Sequence, residues 1–108
     1  MEIVTYEEVE DWQMTELYMS YFDHPHSKEI VEEKISTDDR IPGWGGELYA
    51  KEDDKVLGTA GVLYPKVRTT NGVEKIGGVR GVVIRPSESG KGVGRTLLNS
   101  VHRKMEEE

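Results

Sequence analysis

The sequence predicts an α+β fold, α/β in the broad sense, with elements in the order β-α-α-β-β-β-α, and three observations carry that expectation. The amino-terminal third spaces its apolar residues as helices do. From Glu47 the period changes to that of strands punctuated by turn residues. Near the end a β-branched run, Val82-Val83-Ile84, stops at a proline, passes through a glycine-spaced turn and enters an apolar helix. A chain of 108 residues with 35% hydrophobic and 32% charged residues is one domain at most, large enough for a modest core and globular in composition.

Taken in order, Ile3 to Thr5 is a short β-prone opening, and Thr5 with Glu8 has the spacing of a capping box. The helix after it is expected from Tyr6 to Phe22, where Val9, Trp12, Leu17, Tyr18, Tyr21 and Phe22 fall near helical spacing. Asp23-His24-Pro25 ends it. A shorter helix follows Ser27, with Ile30, Val31, Lys34 and Ile35 on one narrow face, and Pro42-Gly43-Trp44-Gly45-Gly46 breaks the pattern. Strands are expected over Glu47 to Lys51 and Val56 to Leu63, joined by the turn at residues 52–55, the second running past Pro65 toward Thr70 at an edge. Asn71-Gly72 is the pair a type I′ hairpin wants, and Val73 to Arg85 returns as the next strand. Gly77, Gly78 and Gly81 inside it mark a bulge or a close backbone approach. The last helix is expected from Gly92 to Glu107. No repeat, low-complexity tract or linker interrupts the chain.

The net charge of −7 is unevenly spread. Residues 1–62 hold 16 acids against 5 bases, a balance of −11, whereas residues 63–108 hold 5 acids against 9 bases, a balance of +4. A basic carboxyl-terminal half suits a phosphate-bearing cofactor, and an acidic half attracts a cation such as an amine or simply keeps the surface solvated. Nucleic acid is a poor partner for such a chain. With no cysteine there is no disulfide framework and no thiolate site or nucleophile. A basic leader and an apolar stretch of about 18 residues are both lacking, so no membrane partner is expected and the cytoplasm is the expected location.

The glycine-spaced turn holds most of the chemistry. A strand feeding a helix N-terminus presents backbone N–H groups without intrahelical partners and the positive end of the helix dipole, which together bind anions. A Walker loop would need glycine at Arg85 and a hydroxyl at Gly92; a dinucleotide fingerprint would need its third glycine at Arg95. Both fail. The remaining pattern, Ile84-Arg85-Pro86 followed by Ser89-Gly90-Lys91-Gly92-Val93-Gly94, resembles motif A of the GNAT superfamily of N-acetyltransferases: a strand ending in V-x-P, then Q/R-x-x-G-x-G/A entering a helix. Ile84, Pro86, Gly92 and Gly94 match, and Ser89 stands where that family has glutamine or arginine. The stretch from Gly58 to Pro65, the hairpin around Asn71-Gly72 and the run Gly77 to Val83 also look like the amino-terminal acetyltransferase domain of the enhanced-intracellular-survival (Eis) family.

The resemblance implies a mixed, mostly antiparallel sheet with flanking helices. It makes residues 1–108 the amino-terminal part of a single acetyltransferase domain, with the carboxyl-terminal half (a splayed fifth strand, a further helix and a closing hairpin) missing. It implies acetyl-CoA as cofactor, with the coenzyme A pyrophosphate at Ser89, Gly90, Lys91, Gly92, Val93, Gly94 and Arg95 and the pantetheine arm along the backbone of Val82, Val83 and Ile84. The acceptor is an amine on a small molecule or a protein. Asp23 and Glu47 are expected beside it, because in the family the loop between the first two helices and the start of the second strand border the acceptor cleft. Loss of the long donor at Ser89 is expected to weaken cofactor binding by about tenfold or more.

No residue is assigned as the catalytic base or acid. Some GNAT enzymes keep a glutamate on the fourth strand, but Ile76 to Arg85 holds no acid. In Eis-like proteins the thiolate's proton comes from a tyrosine in the half that is missing. His24-Pro25-His26 lacks the partners of a metal site, so no metal is expected, and His102 reads as a surface helix residue. Trp12, Tyr18, Tyr21 and Trp44 read as core or cleft wall. Two other functions fit the same pattern: a non-catalytic acyl-CoA-binding or regulatory module, and a half-domain whose open sheet edge pairs with a second copy as a homo-oligomer.

Overall fold

The computed structural model describes residues 1–19, 27–70, 72–75 and 77–107. Strand β1 (Glu2–Val4) leads through a single 3-10 turn into helix α1 (Asp11–Met19), and α2 (Lys28–Thr37) follows. Then come β2 (Glu47–Glu52), β3 (Lys55–Leu63), β4 (Lys66–Thr69), β5 (Gly72–Lys75) and β6 (Gly78–Ile84), and helix α3 (Val93–Glu106) is the last element among the described residues. The main sheet has the order β1-β2-β3-β6 with every pairing antiparallel, and β4 and β5 form a separate ribbon.

Strand alternation decides which residues face which helix. On β2, Tyr49 points to the layer of α1 and α2, where it packs with Val4, Val9, Met14, Leu17, Val31 and Val56. Its neighbours Leu48 and Ala50 point the other way and meet Leu57, Ala60, Val62 and the α3 residues Val93, Leu97 and Val101. The i, i+4, i+8 spacing of these three residues on α3 is a stripe one helix face wide. The sheet is therefore covered on both faces, the flanked arrangement that the family resemblance implies.

The first helix departs from expectation. Thr5 makes no side-chain cap, and the turn that begins at Tyr6 stops at Val9, whose side chain is fully buried. The helix restarts at Asp11, where the Glu10 N–H donates to Gln13 Oε1 at 2.9 Å, the return arm of a capping box displaced five residues along the chain. Its expected extension to Phe22 falls outside the described residues, as do Tyr21 and His24-Pro25-His26. Helix α2 follows Ser27 as expected, and Ser27 caps it, accepting from the Ile30 N–H at 3.4 Å.

Two expected strands are each divided. The segment after Leu63 forms β4 on its own, and the expected strand Val73 to Arg85 becomes β5 and β6. The ribbon turn also closes one residue early: Thr69 pairs with Gly72, and the Thr69 hydroxyl donates to the Gly72 carbonyl at 3.2 Å. Two bulges matter for the site. Leu57 is the extra residue of β3 between the Ala50–Gly58 and Lys51–Val56 pairs, and Gly81 with Val82 on β6 opposes Ala60 alone. No helix among the described residues is long and apolar enough to cross a membrane.

Candidate functional site

The end of β6, the turn after it and the first turn of α3 enclose a cleft of about 460 Å³, lined by Ile84, Glu88, Ser89, Gly90, Gly92, Val93, Gly94 and Arg95. Seven of the ten residues expected to hold a cofactor line it. Lys91 stands outside the lining, exposed, with Nζ 3.7 Å from Glu88 Oε2. The Val83 side chain is buried in the sheet, so this residue offers backbone groups only, whereas the Val82 side chain is exposed. Among the described residues β6 is the edge of its sheet, and the bulge at Gly81–Val82 takes two of its residues out of register with β3.

The turn is shaped by two left-handed glycines, Gly90 at φ 80° and Gly92 at φ 86°, a conformation in which other residues are strained. A Cβ added at either would meet no atom within 4 Å, so the space above the turn is open. Gly94 differs: a Cβ there would rest 3.7 Å from Ile84 Cγ1, ordinary contact, which fits the motif's allowance of alanine at this place.

Helix α3 begins without the usual self-stabilisation. Gly92 supplies no side-chain cap and the first turn carries no acid, while Arg95 adds a cation there. The first bond of the helix is from the Thr96 N–H to the Gly92 carbonyl at 3.1 Å, which leaves the N–H groups of Val93, Gly94 and Arg95 pointing out of the helix end without intrahelical acceptors. A cation in the first turn opposes the helix dipole, and an anion in the cleft would remove that conflict. The donor set, the open space over both glycines and the two nearby cations fit a pyrophosphate.

One acid in the cleft was not singled out from the sequence. Glu88 lines it and is partly buried, and its only sequence signal is the i, i+3 spacing to Lys91. Arg85 was also missed as a structural residue; it is buried and tied to Glu16 on α1, 69 positions away.

The acceptor-side expectations fare differently. Asp23 lies outside the described residues. Glu47 shares the sheet face of Tyr49 and is 9% exposed; its Oε2 accepts from the Tyr18 hydroxyl at 2.8 Å and the Tyr49 hydroxyl at 2.7 Å. Burial first, and then the charge of Glu47, push the Tyr49 hydroxyl far above the ordinary tyrosine range, so it stays a proton donor. Tyr18 is core, Trp44 packs partly buried beside α3, and His102 is exposed, as expected. Trp12 is not core: it is half exposed and walls a second cavity with Glu16, Glu52, Asp53, Asp54, Lys55, Leu57 and Glu88. Among the described residues no group of His, Cys, Asp and Glu could hold a metal ion.

Residues 6–108 match the model of the acetyltransferase (GNAT) family. The chain belongs to this family. No curated protein sequence matches it. Its fold is similar to that of a GCN5-related N-acetyltransferase from Kribbella flavida, at TM-score 0.67 and 18% identity over 98% of this chain and 27% of that one. A GNAT family acetyltransferase from Brucella melitensis, solved in complex with acetyl-CoA, aligns at TM-score 0.67 and 18% identity over 97% of this chain and 68% of that one. The aminoglycoside 6′-N-acetyltransferase AAC(6′)-Ig from Acinetobacter haemolyticus aligns at TM-score 0.64 and 16% identity over 99% and 72%. The GNAT chain thus spans little more than a quarter of the first of these proteins and about seven-tenths of the other two.

Proposed function

We propose that this GNAT chain is the acetyl-CoA-binding part of an N-acetyltransferase that acts in the cytoplasm on an amine of a small molecule or protein. The observation that carries the reading is the uncapped start of α3, with Gly90 and Gly92 open over the cleft beside an edge strand interrupted by a bulge. In it, the N–H groups of Val93, Gly94 and Arg95 hold the pyrophosphate, Lys91 and Arg95 screen its charge, and the outer backbone of Val82 to Ile84 bonds the pantetheine arm as an added strand would. The bound cofactor supplies the activated acetyl thioester. Acceptor attraction falls to the acidic half of the chain as a field, with Asp23 as a candidate contact. Glu47 is committed to Tyr18 and Tyr49 and contributes through that field. The narrower Eis-like affinity rests on the glycine-marked strands.

Titration with coenzyme A, followed by amide chemical shifts, tests this. Changes are expected to cluster at Val82 to Ile84 and at Gly90 to Thr96, and changes confined to α1 and α2 would refute the reading. Two substitutions tune it. Ser89→Arg, at an exposed position on the cleft rim, is expected to tighten binding by about tenfold by adding a charged donor. Glu88→Gln is expected to tighten it by about two- to fivefold, because it removes a carboxylate from the cleft and frees Lys91 for the phosphates. Calorimetry at low and high salt checks both, the Glu88 effect shrinking as salt rises.

A further inference from the structure

The strand that leads into the cleft is followed by a residue for which cofactor contact has no use. Arg85 stands between Ile84 and Pro86 and is 8% exposed. Its Nε donates to the Val56 carbonyl on β3, and its Nη2 donates to Glu16 Oε1 on α1 at 2.6 Å. Its backbone N–H donates to the carbonyl of Leu57, the bulged residue of β3, at 2.9 Å, and its own carbonyl accepts from the Glu88 N–H at 2.9 Å. One residue therefore joins α1, the β3 bulge and the first turn of the phosphate loop.

Burying a guanidinium is unfavourable unless its donors are matched, and a pair whose carboxylate is 52% exposed adds little stability in return. Beyond Arg85 the loop is held by weak local bonds, Ser89 N–H to Pro86 carbonyl and Lys91 N–H to Glu88 carbonyl, both at 3.3 Å. We propose that Arg85 is a positioning residue: its grip on Val56 and Glu16 fixes where the turn of residues 86–92 begins, and so aims the N–H groups at the start of α3 into the cleft. This rests on the phosphate-cleft reading above. The cost of a loose turn falls on the phosphates, since small displacements of oriented donors are expensive in binding.

The test compares Arg85→Gln, Arg85→Lys and Glu16→Gln with the unchanged protein. In the free proteins, hydrogen exchange at the amides of Glu88, Ser89 and Lys91 is expected to rise about tenfold in Arg85→Gln, with Ala50 and Val62 in the sheet unchanged. Affinity for coenzyme A is expected to fall about tenfold and that for pantetheine, which lacks the nucleotide phosphates, to hold. Arg85→Lys, with one donor head for two acceptors, should recover part of both. Unchanged exchange and unchanged coenzyme A affinity in a folded Arg85→Gln protein would overturn the proposal. If that variant does not fold, Glu16→Gln decides, with about a threefold loss expected and no loss overturning it. An unchanged protein that ignores coenzyme A refutes the cleft reading instead, and the exchange comparison then decides alone whether Arg85 holds the turn.

Discussion

Replacing Gly92 by glutamate is expected to abolish coenzyme A binding while the fold persists. The new side chain starts from a left-handed backbone position at the helix N-terminus, where its Cβ meets nothing within 4 Å. The fold loses only the cost of a non-glycine residue at φ 86°, about 1 to 2 kcal/mol, partly offset by the favourable placement of an acid near a helix start. The cleft loses far more. The carboxylate reaches the same N–H groups of Val93, Gly94 and Arg95 that a pyrophosphate needs and puts like charge where the phosphates would sit. Gly92→Ala separates strain from blockage: it carries the backbone cost alone and is expected to keep binding within a few-fold. Thermal melts within about 10 °C of the unchanged protein, together with no heat of binding in Gly92→Glu, would match this account. Equal loss in both variants would place the effect in the backbone conformation.

How much of this was legible in the sequence depends on the range of each interaction. The stripe Val93, Leu97 and Val101 and the glycine turn before it are local patterns, and the structure assembles both within a residue of the expected limits. The covered sheet was expected from the family resemblance alone, and it is the structure that places Tyr49 on one face and Leu48 and Ala50 on the other. The start of α1 was misread because Thr5 and Glu8 imitate a box whose working arm is Gln13, and only the burial of Val9 against the sheet favours the later start. The fate of Glu47 was out of reach for a similar reason: Tyr18 is 29 positions away, and nothing local marks the pair. Arg85 shows the limit most clearly. Beside a proline at a strand end it looks like an ordinary surface base, until α1 brings Glu16 within 2.6 Å.

The 108-residue chain is expected to bind acetyl-CoA without acetylating amines at a useful rate. An alkyl amine with a pKa near ~10.4 must lose a proton before it attacks a thioester, at a cost of about 4.6 kcal/mol at pH 7. Neither candidate acid is well placed for that work: Glu88, the one acid lining the cleft among the described residues, sits at the phosphate end beside Lys91, and Glu47 is buried under two tyrosine hydroxyls. The outer edge of β6 faces no strand among the described residues, so the pantetheine arm has one wall and the thioester is held loosely. Positioning contributes about 7 to 11 kcal/mol to such a reaction, and a placed proton-transfer group a further ~10²- to 10⁴-fold. Both need groups opposite β6. Thiol release from acetyl-CoA, measured with polyamines, aminoglycosides and lysine peptides, checks this for the 108-residue chain and for any longer product of the same gene. Turnover by the short chain would show that its own acids suffice. Turnover only when a strand covers β6 would show that positioning, proton transfer or both depend on groups opposite β6, and silence from every version, with coenzyme A still bound, would make the protein a non-catalytic acyl-CoA-binding module.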